Sequence, residues 1–170
     1  NGPERLMPII QNIISSLPSA KIKFLLVGGG RASEVVDNIM GVKELAPYCV
    51  RVGEIPHEKV NDYHSAADIG ISTSLRESFG YFIAEGMACL LPFVAYRGGA
   101  IDEVIDHSST GFLCNNKEEF ISHLRSLITD HNLRNKMGIA GRGRINDMFS
   151  TDAFKKRLIT IVNNEFKLSL

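Results

Sequence analysis

Glu85 is the one charged residue in the stretch SFGYFIAEGMACLLPFVAY, which spans residues 78–96. An ionised carboxylate that leaves water without a partner is strongly unfavourable. In a helix, the neighbours of Glu85 three and four residues away would carry no charge; they are Tyr81, Phe82, Ala88 and Cys89. Two explanations are open from this stretch alone. Glu85 lies on a helix edge that faces water, or its partner is a ligand.

A second carboxylate, Glu77, lies eight residues before Glu85, just ahead of the predicted helix. Ser78 could cap that helix, and Gly80 has no side chain to keep a ligand from the backbone. Free N–H groups at a helix N-terminus bind phosphate, and carboxylates accept hydrogen bonds from hydroxyl groups. Gly86 would leave room beside Glu85. This segment therefore predicts a site for a ligand with a phosphate between two hydroxyl-bearing groups.

Two further turns, LVGGGRAS and YRGGAIDE, contain glycines directly after predicted strands. Each could direct backbone N–H groups at an anion, although glycine also simply permits a tight turn. The first turn does not match the dinucleotide pattern GxGxxG, because Ser33 stands three residues after Gly30, and no Walker A lysine is present. We include Gly29 and Gly30 in the predicted site. NAD binding and ATP hydrolysis are disfavoured.

The elements that must position these loops alternate along the chain. Short apolar runs occupy 22–28, 49–55, 68–74, 92–96 and 111–114, and helical patterns lie near 32–40, 57–66, 79–90 and 100–106. The runs alternate poorly between apolar and polar residues, as strands buried on both faces do. The sequence predicts an α/β fold, a Rossmann-like parallel sheet with helices on both faces. Such sheets bind ligands at the carboxyl ends of their strands.

The C-terminal third of the chain is predicted to be helical. One apolar face is marked by Phe120, Leu124, Leu127 and Ile128, and a second by Leu158, Ile161 and Val162. Ser150 or Thr151 is a candidate N-cap for the last helix.

Composition narrows the class of protein. The 170 residues fit one domain, with 44% hydrophobic and 22% charged residues. Nineteen basic residues balance nineteen acidic ones, which argues against nucleic acid as a partner. No apolar run is long enough to span a bilayer. The three cysteines have no CxxC spacing and are typical of buried thiols in a reducing compartment, so we expect a cytoplasmic protein.

The motifs together resemble a known family. LLVGGG, VRVGEIPHEKVNDYHSAADIGISTS, ESFGYFIAEGMA, LPFVAYRGGAIDEVI and TGFLC follow one another in the order and spacing of the group 1 (family 4) retaining glycosyltransferases of the GT-B fold. The resemblance is to their C-terminal, donor-binding half and covers nearly all of the chain. It implies a nucleotide diphosphate sugar as donor, no cofactor, no metal and retention of the anomeric configuration.

The resemblance also implies roles for individual residues. Glu77 is similar to the first motif glutamate, which holds hydroxyls of the donor sugar and counts as catalytic. Glu85 is similar to the second glutamate, which holds the ribose hydroxyls. The backbone of Ser78, Phe79, Gly80 and Tyr81 would face the sugar and diphosphate. Glu54 and Ile55 match the segment that borders the nucleotide base.

The chain departs from the family pattern at several positions. The family has a pair of basic residues in and just after the first strand of this domain, ending in Lys-Gly before the first helix. The given sequence begins at Asn1 and does not include this pair. Arg31, Arg76 and Arg97 stand near the predicted cleft but are more simply explained as solvated surface residues. Leu90 occupies a position where the family has glycine, which places the exact end of the helix in question. Gly86 replaces the usual alanine.

We therefore expect residues 1–170 to be one donor-binding domain that lacks its first strand and an N-terminal acceptor domain. The acceptor would be a carbohydrate or lipid-linked molecule of surface polysaccharide, lipopolysaccharide or glycolipid synthesis, with the full-length protein cytoplasmic or peripheral at the inner face of the membrane. Two alternatives are a nucleotide-sugar epimerase on the same fold and a non-catalytic nucleotide-sugar binding module. Product analysis of the full-length protein would distinguish the epimerase from the glycosyltransferase. The sequence upstream of Asn1 would distinguish the non-catalytic binding module from the glycosyltransferase.

Overall fold

The computed structural model describes residues 3–29 and 33–166 of the chain. The strands within these ranges are β1 (Phe24–Val27), β2 (Cys49–Gly53), β3 (Gly70–Ser72), β4 (Phe93–Tyr96) and β5 (Gly111–Cys114). Each strand lies inside one of the five predicted runs, and β5 coincides with its run. The predicted strand positions are confirmed.

The helices of the described ranges are α1 (Leu6–Ser16), α2 (Ser33–Gly41), α3 (Val60–Ala66), α4 (Tyr81–Ala88), α5 (Ile101–Val104), α6 (Lys117–Thr129), α7 (His131–Met148) and α8 (Thr151–Phe166). A one-turn 3-10 helix, Pro3–Arg5, leads into α1, and another, His57–Lys59, leads into α3. The predicted alternation of strands and helices is confirmed, as is the helical C-terminal third.

Every strand pairing is parallel, as predicted. Strand β1 pairs with β2, and β3, β4 and β5 form a second group in that order. Within the described residues β1 and β3 are not hydrogen-bonded to each other, so the single sheet that we expected is divided at this point. A cleft of about 830 Å³ separates the two groups and is lined by residues of both β1 and β3.

The buried strand β4 explains why helices cover both faces of its sheet. Val94 and Tyr96 belong to one core cluster, together with Ile9 and Ile13 of α1 and Phe120 of α6. Phe93 and Ala95 point to the opposite face and pack with residues of α4, α5 and α7. Successive side chains of a strand point to opposite faces. All four residues of β4 are therefore buried, and the run reads as continuously apolar.

Helix α8 begins as predicted but does not bury the face that we expected. The Ser150 hydroxyl accepts a hydrogen bond from the N–H of Ala153 at 3.1 Å, which confirms Ser150 as the N-cap. Leu158 and Ile161 of the predicted apolar face are 48% and 58% exposed, so this face is largely open within the described part of the chain. The equivalent prediction for α6 is confirmed, because Phe120, Leu124 and Leu127 are buried there.

Candidate functional site

Helix α4 begins at Gly80, whose backbone is left-handed, with φ of 83° and ψ of 48°. The Gly80 carbonyl accepts hydrogen bonds from the N–H groups of Ile83 and Ala84, both at 3.0 Å. We expected Ser78 to cap this helix, and that prediction is wrong, because Gly80 occupies the cap position. The first N–H groups of an α-helix have no partner within the helix. In α4 these groups begin at Tyr81, and Glu77 and Ser78 lie in the loop just before the cap residue Gly80.

Glu85 lies one turn inside α4 and faces the segment that follows β2. Its Oε1 atom is 3.8 Å from Nε2 of His57, and its side chain is 29% exposed. His64 of α3 is close enough for the Glu85 charge to affect it. Burial holds the pKa of His64 below its usual value, while Glu85 acts in the opposite direction. Glu85 is therefore neither fully solvated nor enclosed, and its neighbours are two imidazoles.

Gly86 has a different role from the one that we expected. It is buried, and a Cβ atom at this position would overlap the ring of Phe93 and approach Nδ1 of His64 to 2.9 Å. The absence of a side chain lets α4 pack closely on β4 and α3. The prediction that Gly86 leaves room for a ligand beside Glu85 is wrong, because the core already fills that space.

The turns after β1 and β2 lie directly against each other. The N–H of Gly28 donates to the carbonyl of Gly53 at 2.8 Å, and a Cβ atom on Gly29 would overlap the Glu54 side chain. Ile55 follows and lines the cleft between β1 and β3. The structure thus brings Gly29, Glu54 and Ile55 together. Gly30 and Arg31 lie outside the described residues.

The glycines after β4 position the loop that carries Glu77. Gly98 and Gly99 have φ values of 151° and 61°, and Cβ atoms there would overlap the carbonyl oxygens of Leu75 and Glu77. The N–H of Ala100 donates to the Glu77 carbonyl at 3.2 Å. These glycines therefore allow two backbones to meet.

The N–H of Gly98 is not directed at the cleft. It donates to Oδ1 of Asp102 at 3.2 Å, and Arg97 forms an ion pair with the other carboxylate oxygen of Asp102 at 3.4 Å. These contacts favour a structural role for the turn YRGG over an anion site.

The remaining residues of the predicted site differ in exposure. Glu77 lines the cleft between β1 and β3 together with Ile55. Ser78 is exposed, and Tyr81 is 71% exposed. The ring of Phe79 packs against Phe149 of the helical C-terminal part, with ring centroids 5.6 Å apart. The Phe79 side chain is thus used in packing, which leaves its backbone for any ligand contact.

Sequence reasoning missed the two histidines next to Glu85. His64 is buried, and its Nε2 atom has no hydrogen-bond partner within the described part of the chain. The sequence signal that could have found it is the small and apolar neighbourhood YHSAA on a helical pattern. His57 could not be found in this way, because it lies 28 positions from Glu85 in the chain.

Two of the three cysteine thiols are buried and have raised pKa values. The three cysteines are free, and Cys49 and Cys114 are buried as predicted, whereas Cys89 is partly exposed. Burial raises the pKa of Cys114 to about 12 and also raises the pKa of Cys49.

Among residues 3–29 and 33–166, no group of three or more His, Cys, Asp or Glu side chains is arranged to hold a metal ion. None of the helices in these ranges is long and apolar enough to cross a membrane.

Comparison with known proteins identifies the family to which the chain belongs. A family model described as glycosyl transferases group 1 matches residues 9–144. Human alpha-1,3/1,6-mannosyltransferase ALG2 is 31% identical over 149 residues, which are 81% of this chain and 36% of that protein. The N-acetyl-alpha-D-glucosaminyl L-malate synthase of Bacillus anthracis is 26% identical over 93% of this chain and 42% of its own length. The chain thus spans less than half the length of these relatives.

Solved structures share the fold. Sucrose-phosphate synthase from Thermosynechococcus elongatus matches 95% of this chain with a TM-score of 0.75 and 23% identity, over 43% of that protein. Anabaena HepE in complex with UDP and glucose matches 92% of this chain with a TM-score of 0.76 and 19% identity, over 44% of that protein. These neighbours place the α/β architecture described above among the GT-B glycosyltransferases.

Proposed function

Since the chain belongs to the group 1 glycosyl transferases, we propose that it is the donor-binding part of a retaining hexosyltransferase. The donor is a nucleotide diphosphate sugar, and the glycosyl group passes to an acceptor hydroxyl. The observation that carries this proposal is the arrangement around the start of α4. Glu77 precedes a helix N-terminus formed at Gly80, and Glu85 follows one turn inside the same helix.

The proposed donor lies across this helix N-terminus. The diphosphate meets the backbone N–H groups from Ser78 to Tyr81, where unpaired donors and the helix dipole favour negative charge. Glu77 holds hydroxyls of the donor sugar on one side. Glu85 holds the ribose hydroxyls on the other, and charge-assisted hydrogen bonds of this kind are roughly twice as strong as neutral ones.

The base is proposed to lie at the turn after β2. Glu54 and Ile55 border it, and the close approach of Gly29 to Glu54 keeps this turn next to the one after β1. Gly30 is assigned with Gly29 to the diphosphate side of the site. The identity of the base is not inferred from the relatives. The proposed donor is therefore a nucleoside diphosphate linked to a hexose, with no base specified.

Stabilisation of the leaving group is proposed to be the main catalytic task. As the glycosidic bond to the diphosphate breaks, the sugar gains oxocarbenium character and negative charge grows on the departing diphosphate. Donors fixed in advance at the helix N-terminus would stabilise that charge without reorganisation. Glu77, which contacts the sugar, is the proposed catalytic residue. No metal or cofactor is assigned.

The acceptor site is proposed to lie in an N-terminal domain of a longer protein. The chain matches 36% and 42% of the length of the two relatives described above. One relative is named a mannosyltransferase and the other an N-acetyl-alpha-D-glucosaminyl L-malate synthase, and these names support glycosyl transfer as a class and select no sugar. The proposed acceptors are carbohydrate or lipid-linked molecules of surface polysaccharide or glycolipid synthesis, reached from the cytoplasm or the inner face of the membrane.

The test is binding and turnover with a panel of donors. Saturation-transfer NMR of this chain with UDP-, GDP- and ADP-hexoses should detect at least one donor with Kd of about 1 mM to 100 µM, because few contacts offset the lost freedom of the ligand. EDTA should leave that binding unchanged, and this chain alone should transfer no sugar. The longer natural protein, titrated in parallel, should bind the same donor and turn it over.

Three results would contradict parts of the proposal. Failure of the longer, folded protein to bind any of the donors would remove the donor role. Robust turnover by residues 1–170 alone would remove the separate acceptor domain. Loss of binding with EDTA and its recovery with Mn²⁺ would remove the metal-independent mechanism.

A further inference from the structure

We propose that His57 is a further donor-binding residue, which hydrogen-bonds one of the two adjacent ribose hydroxyls that Glu85 holds. This contact would make the site select ribonucleotides over deoxyribonucleotides. The inference rests on the proposed function, because it takes the contact between Glu85 and the ribose as given. It deepens that function by adding a residue to which the family resemblance assigns no role, and by naming the feature of the nucleotide that this residue reads.

The distance between the two side chains leaves room for a hydroxyl group. Nε2 of His57 lies 3.8 Å from Oε1 of Glu85, whereas a direct N–H···O bond is about 2.7–3.2 Å long. The two atoms are therefore close but not hydrogen-bonded to each other. One hydroxyl oxygen can lie about 2.8 Å from both, because their separation of 3.8 Å is well below the length of two such bonds, about 5.6 Å.

The chemistry of a hydroxyl group matches this pair of side chains. A hydroxyl has one hydrogen to donate and two lone pairs that accept, whereas an ionised carboxylate only accepts. The contact with Glu85 therefore uses the hydrogen of the hydroxyl and leaves its lone pairs open. An imidazole with hydrogen at Nε2 supplies the donor that Glu85 lacks. The two oxygens of Glu85 can accept from both ribose hydroxyls, and His57 would donate to the one nearer to Oε1.

The turn that carries His57 is fixed by its local structure. Pro56 has φ of −58° and ψ of 144°, and its ring restricts φ to values of this kind. The N–H of Lys59 donates to the Pro56 carbonyl at 2.9 Å, which closes the 3-10 turn that starts at His57. The turn comes directly after Glu54 and Ile55, which are proposed to border the base. His57 is thus placed between the base and the ribose.

The packing of α3 on α4 sets the distance from His57 to Glu85. The 3-10 turn that begins at His57 leads directly into α3. The rings of His64 on α3 and Phe82 on α4 have centroids 4.8 Å apart. Gly86 permits this approach, because a Cβ atom there would come within 2.9 Å of Nδ1 of His64. The glycine next to Glu85 thereby brings the start of α3 towards the carboxylate.

The exposure of the two imidazoles near Glu85 identifies His57 as the one that is open to a ligand. The His57 side chain is 84% exposed, whereas His64 is 4% exposed and packs against Phe82. His57 can turn towards a hydroxyl without disturbing the core. Lys59, the next cation of the same turn, pairs with Asp62 at 3.5 Å and is directed along α3.

The expected effect of this contact is moderate. The net value of one hydrogen bond corresponds to a change in Kd of about threefold to tenfold. Selection by a buried polar group is much stronger, because an analogue that lacks the hydroxyl leaves that group unpaired. His57 is exposed to water, so its share of the selection should stay in the smaller range.

The test titrates this chain, with the longer natural protein in parallel, with UDP, GDP and ADP and with the 2′-deoxy and 3′-deoxy form of each. The unmodified protein should bind the ribose form of at least one nucleotide more tightly than both of its deoxy forms. His57→Phe, which keeps a ring but has no nitrogen, should weaken the ribose form about threefold to tenfold. It should leave one deoxy form unchanged, namely the form without the hydroxyl that His57 contacts.

Two further variants control this result. His57→Gln keeps an N–H donor on the side chain and should retain most of the affinity for the ribose form. Lys59→Ala changes a neighbouring exposed side chain of the same turn and should bind every nucleotide as the unmodified protein does. The melting temperature should be the same in all three variants, because both side chains are largely exposed, at 84% and 61%.

The outcomes separate this inference from the proposed function. If Glu85→Gln weakens the ribose form while His57→Phe leaves it unchanged, or weakens the ribose form and both deoxy forms equally, the His57 contact is overturned and the ribose role of Glu85 stands. If the longer, folded protein binds the ribose and deoxy forms equally, or binds none of them, the ribose contact of Glu85 is overturned, and the His57 contact with it.

Discussion

His57 Nε2 lies 3.8 Å from Glu85 Oε1, and this imidazole is the neighbour that the lone carboxylate of α4 finds in the folded chain. The His57 side chain is 84% exposed, so the pair is screened by solvent and holds neither partner firmly. Glu85 is therefore available to a ligand. The Glu85 side chain is partly buried, so a helix edge that simply faces water does not describe it, and a ligand as its partner stays a prediction.

A double-mutant cycle should find little coupling within this pair. Exposed ion pairs typically contribute about 0.2–1 kcal/mol, so His57→Ala and Glu85→Gln should interact by about 0.5 kcal/mol or less in urea unfolding. A coupling above about 1.5 kcal/mol would mean that the contact is structural. The matched single variants provide the controls within the cycle.

Gly99→Ala should destabilise the fold and disturb the Glu77 loop. The φ value of 61° and the overlap of a Cβ atom with the Glu77 carbonyl both oppose a side chain here. The left-handed backbone alone costs an alanine about 1–2 kcal/mol. Gly143→Ala is the control, because Gly143 lies in α7 with no atom near its Cβ position.

The control variant, Gly143→Ala, should change the free energy of unfolding in the opposite direction. Alanine in a helix interior is more stable than glycine by about 0.5–1 kcal/mol, so Gly143→Ala should raise the free energy of unfolding. Equal effects of the two substitutions in chemical denaturation would contradict the close approach of the turn after β4 to Glu77.

Leu90→Gly should be more stable than Leu90→Ala. Leu90 follows α4 with φ of 68°, and the N–H of Leu91 donates to the Gly86 carbonyl at 3.0 Å, a typical helix-ending bond. Both variants remove the same side chain, but only glycine adopts this backbone without strain, a difference of about 1 kcal/mol. Thermal unfolding of the two variants measures it, and a more stable alanine variant would place Leu90 in another conformation.

Stability should decrease as the pH falls from about 7.5 to about 5.5, across the ordinary titration range of histidine. Burial, and next to it the charge of His107, holds the pKa of His123 below its usual value, with Glu119 acting in the opposite direction. The unfolded chain therefore binds protons at a pH where the folded chain does not, so unfolding becomes easier as pH falls. His64 acts in the same sense.

His123→Gln tests the assignment of this pH dependence. The variant should show a shallower decline of the free energy of unfolding over the same pH range, and the decline that remains would belong to His64. Stability that rises as the pH falls, or a slope that His123→Gln leaves unchanged, would contradict the lowered pKa of His123.

The sequence predicted elements well where burial decides them. The run GFLC is buried at all four positions and coincides with β5, and Ser150 caps α8 because an N-cap depends on residues close in the chain. The division of the sheet between β1 and β3 could not be predicted in this way. It depends on which strands pair through hydrogen bonds, and the pattern of residues within a single run does not determine that pairing.

The site shows the same limit in finer detail. Gly86 lies against His64 as well as Phe93, and Gly98 and Gly99 meet the backbone of Leu75 and Glu77, so their roles depend on residues about 20 positions away in the chain. A glycine motif alone does not distinguish an anion site from a close packing of backbones. The spacing of Glu77 and Glu85 does predict how these two residues are arranged along the chain, because one loop and the helix that follows it hold both. Their proposed contacts with the donor stay predictions.

The most direct test of the donor site is calorimetry of Glu85→Gln with the bare nucleoside diphosphate of the donor found by the panel. Loss of a charge-assisted hydrogen bond to the ribose should cost about 1.5–3 kcal/mol, a roughly tenfold to hundredfold weaker binding. Glu77→Gln is the matched control, because it would contact only the sugar. It should leave nucleoside diphosphate binding unchanged and weaken the nucleotide sugar. If Glu85→Gln binds the nucleoside diphosphate as tightly as the unmodified protein, the ribose contact, and with it the proposed placement of the donor across α4, is contradicted.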